Sequence, residues 1–171
     1  MKDIVIAAVK SFIDNDSELL DLAAHEQAIS HRIGVYLENS FKIDDTTIRV
    51  DCEYNKHLDE PKKINIYDLD QDLCEVCGCA SCRAVIRGDA REILEKGFRP
   101  DILLHTRGTD VNNLIAIEIK KNKECPFDEA KLKALTKSRE EDCEYAYALG
   151  AFIWFVEKKL FYKWFENGVE V

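Results

Sequence analysis

Three residues carry the clearest chemical content: Asp101, Glu118 and Lys120. Glu118 and Lys120 lie in the run Leu114, Ile115, Ala116, Ile117, Glu118, Ile119, Lys120, Lys121, which alternates as a β-strand does. Ile115, Ile117 and Ile119 share one face, and Ala116, Glu118 and Lys120 share the other. The apolar residues ahead of Glu118 mark a strand in the middle of a sheet. A glutamate and a lysine on such a strand are costly unless paired or bound to a metal. Asp101 opens a second strand, set by the stiff Pro100 before it. The sixteen residues between Asp101 and Glu118 suit two paired strands and their turn. Carboxylates on adjacent strands supply the oxygen ligands that Mg²⁺ prefers. An ion held there polarises a phosphodiester and lowers the pKa of an attacking water. Lys120, on the same face, can orient that water or offset charge in the transition state. The plainer alternative is an ion pair on an edge strand, with Asp101 a turn residue. For that, the apolar run before Glu118 is the wrong setting.

A second cluster is made of thiols. Cys74, Cys77, Cys79 and Cys82 follow one another as C-x2-C-x-C-x2-C. Cys-x2-Cys is a usual zinc half-site, and the small Gly78, Ala80 and Ser81 let the backbone wrap an ion. Four ligands from nine residues crowd a single Zn²⁺, so His57 or another residue is an alternative member of the shell. Seven cysteines, an odd number with four packed together, fit metal binding better than a disulfide framework. The expected ion is a structural Zn²⁺ holding an insert from 55 to 87 that has too few apolar residues to fold alone. Cys52 is expected in the core, and Cys125 and Cys143 carry no functional signal.

The elements that must position these groups follow from periodicity. A helix is expected from Ser17 to Ser40, with Leu19, Leu22, Glu26, Ile29, Ile33 and Tyr36 on one stripe. Glu26 is the carboxylate of that stripe and a candidate third acid. Thr46 to Tyr54 alternates as a strand, with Ile48, Val50, Cys52 and Tyr54 facing one way and Arg49, Asp51 and Glu53 the other. Asp51 and Glu53 either extend the acidic pocket or form a solvated face. Asp89 to Gly97 reads as a short helix closed by glycine. The strands Asp101 to Thr106 and Leu114 to Lys121 form a hairpin, Phe127 to Arg139 a helix, and Ala148 to Val156 with Leu160 to Phe165 a last pair of strands. This order predicts one α/β domain over 1–171, with a mixed sheet flanked by helices.

Arg99, Pro100 and Asp101, followed by Glu118, Ile119 and Lys120, resemble the PD-(D/E)xK nuclease superfamily, and the resemblance extends over most of the chain. It implies a restriction-endonuclease-like αβββαβ core and departs from it only in the cysteine-rich insert. It also implies that Asp101 and Glu118 bind Mg²⁺ or Mn²⁺ with the Ile119 carbonyl, that Glu26 completes the site, and that Lys120 is catalytic. An iron–sulfur cluster is the rival occupant of the thiols, because some nucleases of that superfamily carry one. Their cysteines, however, are usually split between distant parts of the chain.

Charge bears on partners. The net charge of −9 is uneven: residues 1–82 carry −9, residues 83–139 carry +4 and residues 140–171 carry −4. The motif thus lies in a basic island. Arg99, Lys121, Lys123 and Lys131 are the candidates for neutralising nucleic-acid phosphates, DNA being favoured over RNA. The apolar fraction of 46% suits a folded domain with its own core, and the stretch from Tyr145 to Val156 is too short and interrupted to span a bilayer. With no leader pattern in the first residues, a cytoplasmic protein is expected. The aromatic pair of strands at the end is expected in the core, with its exposed members open to a homodimer or partner contact. Two other readings compete with a nuclease. One is a non-catalytic module that docks nucleic acid or protein through its zinc insert, and the other is a metal-dependent phosphohydrolase acting on nucleotides.

Overall fold

Two antiparallel strands, β4 (Ile102–Thr106) and β5 (Ile115–Lys120), form the hairpin expected from their alternation. A computed structural model describes them together with the rest of residues 1–22, 24–41, 47–57, 60–61, 71–87, 99–138 and 145–171. The expected helix over 89–97 and the apolar piece over 64–67 lie outside the described residues, as do Cys143 and the side chain of His57.

The hairpin sits inside a mixed six-stranded sheet, completed by β1 (Ile48–Cys52), β6 (Leu149–Val156), β7 (Lys159–Glu166) and β8 (Val169–Glu170). Its order is β1-β4-β5-β6-β7-β8, with β5 and β6 parallel and every other pair antiparallel. β5 therefore has hydrogen-bonded neighbours on both sides, and an edge-strand origin for Glu118 and Lys120 is excluded. A separate ribbon pairs β2 (Lys56–His57) with β3 (Glu60–Pro61).

Strand register assigns each side chain to a face. Ile102, Leu104, Ile115, Ile117, Ile119, Ala151, Ile153 and Phe155 form one buried face. It is covered by α1 (Lys2–Asp16) and α3 (Glu26–Ser40), through Val5, Ala8, Val9, Phe12, Ile29, Ile33 and Leu37. The opposite face carries Leu103, Ala116 and Phe152, covered by α6 (Pro126–Thr136) and by the cysteine insert. Within that insert are two short helices, α4 (Gln71–Cys77) and α5 (Ala80–Ile86).

The N-terminal elements differ from expectation. α1 was hidden by its modest amphipathicity, although Val5, Ala8, Val9 and Phe12 sit at helical spacing and are fully buried. The expected helix from 17 to 40 is broken into α2 (Glu18–Asp21) and α3, because Leu22 and His25 have extended backbones. Neither glycine nor proline marks residues 22–25, so the stripe ran through the break unseen. The break makes Glu26 the first residue of α3.

Cys52 is also not core: it lies exposed on the edge strand β1, its sulfur close against Gly34 of α3. Asp51, on the other face, is buried rather than solvated. His105 lies 3.1 Å from its carboxylate, and Arg107 donates to it through Nε at 2.7 Å. Burial alone would raise the Asp51 carboxyl, but these two partners outweigh it and hold it well below the usual range. Asp51 is thus a structural ion pair, not part of an acidic pocket. Of the late aromatics, Phe152, Phe155 and Phe165 are fully buried, while Phe161 is exposed and stacks on Trp154. No described helix is long and apolar enough to cross a membrane.

α6 approaches the sheet closely at Gly150, where an added Cβ would lie 3.1 Å from Thr136 Cγ2 and 3.2 Å from Phe165 Cβ. We expect Gly150→Ala to lower stability by about 1–3 kcal/mol through overpacking, measured by urea denaturation.

Candidate functional site

The carboxyl end of β5 gathers six ionisable side chains from four elements. Glu118, facing α6, is only 2% exposed. Asp101 immediately precedes β4, and its Oδ2 accepts the backbone N–H of Ile119 at 2.6 Å. The β4–β5 ladder ends at the Ile102–Ile117 pair, so the Asp101 side chain takes the place of the next backbone acceptor. Lys120, the last residue of β5, donates to Glu26 Oε2 at 3.0 Å, and the Lys121 N–H donates to Glu26 Oε1 at 3.2 Å. The break before α3 is what brings Glu26 to this end of the sheet.

Two further members come from α6. Lys131 Nζ lies 2.8 Å from Glu118 Oε1 and 2.6 Å from Asp128 Oδ1. Asp128 Oδ2 lies 3.1 Å from Lys120 Nζ, so Asp128 bridges the two lysines. Asp128 and Lys131 are 3% and 8% exposed. Lys131 was expected to face a nucleic acid; instead its ammonium is an internal counter-ion. Of the other basic candidates, Lys121 donates to the Leu22 carbonyl and Lys123 to the Cys77 carbonyl. Arg99 is exposed, 3.9 Å from Glu53. Asp128 was missed altogether, and its only mark in the sequence is its position three residues before Lys131 on one helix face.

The electrostatics are those of a site short of positive charge. Glu26, Asp101, Glu118 and Asp128 face two ammonium groups, which leaves two negative charges uncompensated when all are ionised. Burial raises the Asp101 carboxyl to about 6, against the pull of Lys131 and the Ile119 amide. Burial likewise raises Glu118 well above the ordinary value, and the nearby Asp128 and Asp101 carboxylates add to the rise. Asp128 moves the other way: despite burial, Lys131 and Lys120 hold it at about 2. Both lysines are kept firmly protonated, because the surrounding carboxylates outweigh desolvation. Among the described residues, Glu118 Oε1 and Asp128 Oδ2 are the buried side-chain oxygens without a hydrogen bond. Each is within ion-pair range of an ammonium but off the hydrogen-bonding line. Two buried carboxylate oxygens that meet an ammonium without a well-aligned hydrogen bond are hard donors of the kind a divalent cation would take.

The thiols form a separate cluster on the same side of the sheet. Cys77, Cys79, Cys82 and Cys125 have sulfurs all within 4.8 Å of one another, close enough to bind a metal ion. Cys125 stands here in the position expected for Cys74. The reason is geometric: Cys74 lies a turn earlier on α4, and Gly78, at φ +57°, folds the chain back after Cys77. Cys79 then caps α5, its sulfur accepting the Cys82 N–H at 3.4 Å. Cys74 is buried alongside, against Cys82. The Cys79 and Cys125 sulfurs lie 3.5 Å apart, a contact that lowers the Cys79 thiol and, with burial, raises that of Cys125. No spacing pattern singled out Cys125; the only signal was the crowding of four ligands from nine residues.

The Asp101 shift sets a pH dependence. Between the ordinary value of 3.8 and about 6, the folded state keeps a proton that the unfolded chain has released, so stability falls as pH rises through that window. Without added Mg²⁺ or Mn²⁺, we expect Asp101→Asn to remove that contribution and to raise stability at pH 7.5 by roughly 1–3 kcal/mol. Urea unfolding of both proteins across pH 4 to 8 measures it. Comparison with protein-family models, with curated proteins and with solved structures finds no match for this chain.

Proposed function

We propose that the protein is a Mg²⁺- or Mn²⁺-dependent nuclease of the PD-(D/E)xK type that hydrolyses phosphodiester bonds, DNA being the favoured substrate. The observation that carries this reading is the convergence of Asp101, Glu118, Lys120 and Glu26 at one end of a central hairpin. An ordinary structural ion pair needs no such surplus of buried carboxylate. The succession α3, β1, β4, β5, α6, β6, with the insert between β1 and β4, supports the same reading, since it follows the αβββαβ order of that superfamily.

On this reading Asp101, Glu118 and Glu26, with the Ile119 carbonyl, hold the cation, and Asp128 is an added oxygen donor. A bound Mg²⁺ or Mn²⁺ supplies Lewis acidity toward the phosphate and a more acidic water. Lys120 has as partners Glu26 and Asp128, which are also the cation's donors. Held by these two carboxylates, its ammonium would orient the attacking water or offset charge on a phosphate oxygen. Lys131 keeps Glu118 and Asp128 apart and charge-balanced. The thiol cluster enters this reading as a structural zinc site.

The test is cleavage of supercoiled and linear DNA, single-stranded DNA and RNA in Mg²⁺ and in Mn²⁺. Lys120→Ala is expected to lower the rate at least about a hundredfold with fold and metal content intact. Equal rates in both proteins, or no cleavage of any substrate, would overturn the nuclease and favour a binding module of the same fold.

A further inference from the structure

We propose that Cys77, Cys79, Cys82 and Cys125 hold one Zn²⁺ that clamps the cysteine insert to the first turn of α6, and that Cys74 is not a ligand. Zn–S bonds of about 2.3 Å in a tetrahedron separate the sulfurs by about 3.8 Å. Cys125 lies 3.5 Å from Cys79 and 3.9 Å from Cys82, and no pair in the group exceeds 4.8 Å. A multi-iron cluster spreads its thiolates over different metal ions and needs them farther apart. The Cys82 N–H already points at the Cys79 sulfur, as suits a thiolate. The excess negative charge of four thiolates on one Zn²⁺ lies beside the Lys123 ammonium on the Cys77 carbonyl and the Arg83 guanidinium on the Gly78 carbonyl.

The clamp follows from where Cys125 sits. It is the N-cap residue of α6, a helix with no side-chain cap hydrogen bond. Its carbonyl accepts the N–H groups of Asp128 and Glu129, each at 3.1 Å. A metal bound to its sulfur therefore fixes the helix start from which Asp128 projects. Three ligands come from the insert and one from α6, so the ion closes a loop between segments more than forty residues apart in sequence.

The proposal is tested on the full chain with zinc and cobalt alone, so nuclease activity plays no part. Wild type and Cys74→Ser are expected to bind one zinc per chain, with the same tetrathiolate spectrum when Co²⁺ replaces it. Cys125→Ser should bind zinc at least tenfold more weakly, and Cys125→His should keep one metal with a shifted Co²⁺ spectrum. Amide exchange at Asp128 and Glu129 should speed at least tenfold when zinc is chelated. A wild-type Co²⁺ spectrum in Cys125→His would overturn the assignment even if Cys125→Ser fails to fold. So would loss of zinc in Cys74→Ser, iron with inorganic sulfide in the purified protein, or exchange at α6 indifferent to zinc.

Discussion

Everything at the carboxyl end of β5 depends on one electrostatic compromise: the Lys131 ammonium held between Glu118 and Asp128. Taking a carboxylate out of water costs several kcal/mol unless a partner compensates it. The sheet buries Glu118 completely, so the compensation has to come from the helix laid across it. That requirement ties β5 to α6, and through Asp128 to Lys120, Glu26 and α3. The layers on both faces of the sheet meet at this one end, and they meet through charge. The face covered by α1 and α3 is otherwise an apolar core, while the face under α6 also holds the thiols and the buried Asp51–His105 pair. A region whose charges balance only in part is a poor source of stability, which is the usual condition of a site shaped for binding.

Much of this was legible in the sequence. The alternation around Glu118 gave its strand and its face correctly, and the apolar run before it foretold a central position, now seen as pairing with both β4 and β6. Pro100 and the spacing to Glu118 foretold the hairpin. What was hidden had a common cause. The break between α2 and α3 has no glycine or proline to announce it, and the contacts of Glu26 with Lys120 and the Lys121 amide are with residues more than ninety positions away in sequence. Asp128 and Cys125 were hidden for the same reason, since each meets its partners only when β5 and the insert are brought against the start of α6, whereas Lys131 was singled out but for a different partner. Periodicity reports which way a side chain faces and is silent about what it will meet.

The thiol cluster illustrates this most plainly. Spacing suggested a self-contained nine-residue motif, whereas the turn at Gly78 directs three sulfurs outward toward a fourth on another element. Contiguity in sequence made Cys74 the natural member of the cluster, and helix geometry leaves its place to Cys125. The insert is consequently bound into the body of the protein rather than appended to it. It shares a core with α6, in which Cys74, Cys77 and Cys82 pack with Phe127 and Leu132.

The bond from the Ile119 amide to Asp101 Oδ2 has a further meaning. It works as a register pin. A slip of β4 by one residue along β5 would carry Asp101 to the opposite face of the sheet and forfeit that bond. The same bond fixes how the carboxylate is turned, because with Oδ2 committed to the backbone the carboxyl group cannot rotate without giving up the strand's alignment. Strand register and carboxylate orientation are thus set together by a single side chain.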